Sequence, residues 1–138
     1  MTSGDLERFL QAQEPVIERV LEELGAGRKT SHWMWFVFPQ IQGLGSSSTA
    51  QHFAIASRAE AQSYLCHPVL GARLRECTRL VNAVAGRGIE EIFGYPDYLK
   101  FRSSMTLFAH STPDNQVFVE ALRKYFEGEY DPLTLDKL

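Results

Sequence analysis

Cysteine is scarce in this chain of 138 residues, where Cys66 and Cys77 are the only two. Two thiols make no disulfide framework, so stability has to come from a packed core, and a reducing compartment is expected. Histidine is sparse too. His32, His52, His67 and His110 are spaced too widely for metal ligation, and neither Cys-x-x-Cys nor His-Glu-x-x-His occurs; no metal is expected. Long apolar runs are missing: Trp33 to Phe38 is the longest, far short of the ~20 residues a membrane span requires. Charge of one sign is not in excess. The net charge is −3 with acids and bases interspersed, which predicts neither a nucleic-acid nor a membrane partner. The N-terminal MTSGDLERF carries acids early and no hydrophobic secretion segment, so a cytoplasmic location is expected. Phosphate-loop signatures fail as well. No Gly-Lys-Ser/Thr is present, and Ser48 stands where a dinucleotide loop starting at Gly43 needs its third glycine; no cofactor is expected.

Apolar mass is present in quantity. Hydrophobic residues make up 44% of the chain and aromatics 12%, enough for one core and a single domain over residues 1–138. It is densest in Ser31 to Leu44, SHWMWFVFPQIQGL, which is taken as the centre of the core.

Helical spacing runs through the rest. Leu6, Phe9 and Leu10, then Val16, Val20, Leu21 and Leu24, mark two helices separated by Pro15, which removes a donor and clashes with the preceding turn. Gly25 to Gly27 ends the second, and Arg28-Lys29-Thr30 reads as an exposed link. Ser31 is placed to cap a helix over the aromatic run, with Pro39 as its stop. Ser48 with Gln51, and Ser57 with Glu60, have the spacing of capping boxes. Pro68 suits a first helical position, and Leu70, Leu74, Cys77, Val81 and Val84 form the firmest stripe in the chain. Shorter patterns follow at Ile89 to Phe93, Tyr98 to Phe108, Val117 to Tyr125 after Thr112-Pro113, and Asp131-Pro132. The prediction is an all-α bundle of seven or more mostly short helices.

Candidate site residues cluster in two stretches. In the aromatic one, burial next to the tryptophans would hold His32 neutral, Trp33 or Trp35 could form an aromatic wall, and Gln40 could read a ligand. In YLKFRSSMTLF, Lys100, Ser103 and Ser104 share a helical face opposite Phe101 and Met105. Arg102 lies at its margin, where a guanidinium can clamp a carboxylate or phosphate through parallel hydrogen bonds. The plainer alternative makes Lys100 and the serines a solvated face and His32 and the tryptophans core residues. No catalytic triad closes, because Cys77 lies in an apolar stripe and Cys66 has only His67 beside it.

SHWMWFVFPQIQGLG, HPVLGARLRECT and KFRSSMTLFA together closely resemble the bacterial family called domain of unknown function 1810, over nearly the whole chain. The resemblance implies a small, cytoplasmic, all-α protein. The family has no established activity, so no catalytic residue is carried over. SSSTAQHFAI also bears a fainter likeness to the NADAR family, which acts on ADP-ribose-type N-glycosidic bonds through a short S-S-E-H-x-F-Q-like helix. Here Ala50 or Gln51 stands near the acidic position. The expected function is a binding domain, with or without enzymatic activity, for a small anionic or nucleotide-like ligand. Its rival is a protein-interaction module with no small-molecule site. Oligomeric state is open.

Overall fold

The computed structural model describes residues 3–138, with side chains from Leu6 onward; Met1 and Thr2 of the N-terminal stretch lie outside the described residues. Among the described residues ten helices follow one another: α1 (Ser3–Gln13), α2 (Ile17–Gly25), α3 (Met34–Val37), α4 (Ser48–His52), α5 (Arg58–Cys66), α6 (Leu70–Ala83), α7 (Ile89–Phe93), α8 (Asp97–Ala109), α9 (Gln116–Phe126) and α10 (Pro132–Leu135). No strand occurs among them, and no helix is long and apolar enough to cross a membrane. The architecture is all-α.

Helix α8 is the hub. Phe101 and the run Ser103 to Ala109 are all buried, and α5, α7, α9 and α10 pack around it. Two turns separate Phe101 from Phe108, so they share a face and join two aromatic clusters. Phe101 meets Phe38 edge-on (5.0 Å between centroids) and stacks on Phe93 (4.9 Å), while Trp33 reaches Phe38 at 6.2 Å. Phe108 continues to Tyr64 (5.5 Å), which meets Phe9 edge-on at 5.1 Å. The aromatic stretch supplies Trp33, Met34, Val37, Phe38 and Ile41 to the core, but the longest unbroken buried run is Ser103 to Ala109 of α8.

Several helix starts differ from those the sequence predicts, each for a local reason. Ser31 does not cap α3: its hydroxyl donates to Glu23 Oε2 at 2.6 Å, and the helix begins only after Trp33. Ser47, not Ser48, caps α4 by accepting from Ala50 N, while Gln51 turns back to the Ser46 carbonyl. Ser57 caps α5 as expected, but Glu60 receives Ala56 N rather than closing a box on Ser57. Ahead of α6 the cap is His67, whose Nδ1 accepts from Val69 N and Leu70 N. Thr112-Pro113 forms a turn, and α9 starts three residues beyond Pro113, at Gln116. Asp131-Pro132 opens α10 as cap and first residue. Lys29, expected in an exposed link, has a side chain only 8% exposed and an ion pair with Asp97 at 2.8 Å.

One isolated bridge positions the site. Gln42 N donates to Ile55 O and Ile55 N to Gln40 O, both at 2.8 Å. The Gly/Ser loop and α4 therefore project as one excursion tied at its base.

Candidate functional site

The excursion faces the start of α8 across a cleft of about 420 Å³. Trp35 and Gln40 form one wall, Gly45, Ser46 and Ser47 the second, Leu99, Lys100, Arg102 and Ser103 of α8 the third, and Asp131 and Leu133 of the C-terminal segment the fourth. Broader depressions of about 670 and 510 Å³ lie along α6 and α9, but each is lined by a single helical segment and nothing faces it. A smaller hollow of about 240 Å³ between Arg75 and Arg79 of α6 and Asp114, Gln116 and Glu120 near α9 also gathers polar groups, but it holds no aromatic side chain. The first joins converging polar groups to the Trp35 ring, the arrangement that ligand sites share.

Each wall has a local cause. Trp35 is half-buried on α3 because a four-residue helix with apolar side chains all round cannot bury every side. Its ring carries the Lys100 ammonium 5.2 Å from the centroid. Gly45 approaches α4 so closely that a Cβ there would lie 2.6 Å from the Ala50 Cβ. Close packing, not backbone freedom, demands that glycine.

The charges form an ordered set. Asp97 sits between two ammonium groups, Lys29 at 2.8 Å on the core side and Lys100 at 3.6 Å on the cleft side. Arg102 donates from Nε to the Glu129 carbonyl (3.1 Å) and from Nη2 to the Tyr130 carbonyl (2.8 Å), which holds the C-terminal segment against α8. Thr106 Oγ1 accepts from Asp131 N at 2.9 Å in the same arrangement. The Asp131 carboxylate is fixed through one oxygen: Oδ2 receives Ser103 Oγ, Thr134 N and Thr134 Oγ1.

The sequence candidates divide. Trp35, Gln40, Lys100, Arg102 and Ser103 meet at the cleft. His32 does not join them; it is exposed rather than buried beside the tryptophans. Trp33 is 1% exposed and belongs to the core. Ser104 is fully buried and faces inward, its hydroxyl without a partner, because the turn of α8 that carries it is enclosed on all sides. Ser103 is also buried rather than on a solvated face, and its hydroxyl is spent on Leu99 O and Asp131.

Two residues escaped the sequence reading. Asp131 was visible only as a cap beside a proline. Glu23 carried no signal beyond its place in an amphipathic helix. It accepts from Thr30 N, Ser31 N, Ser31 Oγ and Trp33 Nε1. Burial pushes its carboxyl upward, but hydrogen bonds from Ser31, Thr30 and Trp33 together prevail and bring the pKa from 4.5 down to about 2. Glu23 thereby anchors the segment that leads into the cleft wall.

The family described as Protein of unknown function (DUF1810) matches residues 3–138. The chain belongs to this family. Among solved structures, this DUF1810 chain is similar to the conserved hypothetical protein Rv1873 from Mycobacterium tuberculosis, at 60% identity over 97% of this chain and 96% of that one, with a TM-score of 0.97. No curated protein matches it. The likeness to the NADAR family is not shown by these comparisons.

Proposed function

We propose that the chain is a binding domain for a small anionic or nucleotide-like ligand held in the cleft beside Trp35. One observation carries the reading. Among the described residues lining the cleft, Lys100 and Arg102 face Asp131 as the one acid, and their ion-pair partners Asp97 (3.6 Å) and Glu129 (3.7 Å) lie outside that lining. The lining itself therefore carries more positive than negative charge on a chain whose net charge is −3. Lys29 holds Asp97 at the shorter distance, and Glu129 is mostly exposed, so solvent screens its pair with Arg102. Trp35 offers an aromatic surface, and Gln40 and Ser46 add neutral polar groups.

A thermal-shift screen against nucleotides, ADP-ribose derivatives and small carboxylates tests this. A ligand at a hundred times its Kd adds ~2.7 kcal/mol, a rise of several degrees in Tm. Lys100→Ala should abolish the rise, whereas His32→Ala, outside the cleft, should keep it. Arg102→Ala is the poorer probe because it also releases the Glu129 and Tyr130 carbonyls. An equal rise in wild type and Lys100→Ala would sink the proposal.

A second reading has an observation of its own. Leu133 and Leu99 line the cleft while 62% and 42% exposed, and Tyr95, next to Pro96 at its edge, is 79% exposed. Such a rim also suits a protein partner. A silent screen, with variants that merely unfold sooner, favours that reading.

A further inference from the structure

We infer that the ligand is a ribose-bearing phosphate, with Asp131 as the residue that reads the sugar hydroxyls. The inference rests on the anion-binding reading and adds the group that the cations do not explain. A site built for a simple anion has no use for a carboxylate, which repels the ligand and weakens the field of its neighbours.

Asp131 is not neutralised within the protein. No ammonium or guanidinium pairs with it among the described residues, although Arg102 binds the adjoining Tyr130 carbonyl at 2.8 Å. Its Oδ2 takes all three hydrogen bonds, from Ser103 and from two donors of Thr134, which fixes the carboxylate plane. Oδ1 receives no donor among the described residues, and the residue lines the cleft. A rigid carboxylate with one oxygen unused accepts hydrogen bonds from a pair of adjacent hydroxyls, the interaction by which an acid recognises ribose. Lys100 would take the phosphate, with Arg102 adding charge and its Nη1 while Nε and Nη2 stay on the Glu129 and Tyr130 carbonyls, and the Trp35 ring the flat remainder of a nucleotide. The cleft volume of about 420 Å³ accommodates a mononucleotide. Gln40, whose side-chain amide lines the cleft and both donates and accepts, suits the edge of a base.

The test is calorimetric titration of the full chain with adenosine monophosphate, its deoxyribose and dideoxyribose counterparts, and inorganic phosphate. The expected result is binding of the ribose form, with the dideoxy form weaker by roughly tenfold or more, because hydrogen bonds to a charged group are lost. Asp131→Asn, checked for helical content, should reduce that preference. The comparison of ligands on the wild-type chain decides the matter even if the variant fails to fold. Equal affinity for the ribose and dideoxy forms would overturn the role of Asp131 and leave the anion site standing. Binding of none of the four would overturn both.

Discussion

Glu23 shows how one carboxylate can organise a turn. Its two oxygens collect four donors from Thr30, Ser31 and Trp33, so the charged form is favoured only in the folded chain. A carboxyl lowered from 4.5 to about 2 stabilises the fold fully above its unfolded value, and that contribution is lost as pH falls from 4.5 through 2. Glu23→Gln keeps one acceptor oxygen and loses the charge, and should therefore cost about 1.5–2 kcal/mol near neutral pH. Urea unfolding of both proteins down to pH 2 should show the gap narrowing across that window. A gap independent of pH would mean that shape, not charge, does the holding. Cys77 offers the opposite case. Burial in the apolar stripe of α6 pushes its thiol up to about 12, so it should resist thiol reagents that modify exposed Cys66. Mass spectrometry after brief alkylation of the native chain would report one adduct.

Between elements, the tightest point is where α5 turns into α6. A Cβ on Gly71 would lie 2.1 Å from the Leu65 carbonyl oxygen, backbone that cannot step aside. Gly71→Ala should cost about 3 kcal/mol, read from the urea midpoint, and more if the turn before α6 gives way. Helix α6 is also where the sequence spoke most clearly, since Leu70, Leu74, Cys77 and Val81 repeat at helical spacing and are all buried. Helix α3 was harder to bound because apolar residues on every side carry no period. Caps were the least legible feature. Ser31 and Thr112 have the right side chains, but a cap is decided by which donor or acceptor lies nearest after folding, and Ser31 finds Glu23 from another helix.

Taken whole, the molecule assembles its cleft from three stretches that the chain keeps far apart, residues 35–50, 96–103 and 131–133. The sequence could nominate Trp35, Gln40, Lys100, Arg102 and Ser103 because they flank dense apolar runs, and these line one space. It could not find Asp131, which meets Ser103 across 28 residues of chain. Nor could it tell that Trp33 and Ser104 point inward, since the aromatic stretch is apolar on every side and the run Ser103 to Ala109 of α8 is buried although four of its residues are polar or small. The charge arrangement has a bulk consequence. Lys100 and Arg102 are partly open to solvent, so added salt should weaken any anion bound there as the screening length falls from ~10 Å at 0.1 M to ~3 Å at 1 M. The ligand-induced rise in Tm should shrink with salt, and a rise indifferent to ionic strength would place the ligand elsewhere.

The two tryptophans stand in unlike surroundings, each with a lysine ammonium 5.2 Å from its ring and both lysines joined through Asp97. Trp33 is sealed in the core, and Trp35 opens onto the cleft. The chain thus carries an optical gauge of its own occupancy. An anion that draws Lys100 away changes the emission of the outer indole, while the inner one serves as a steady reference.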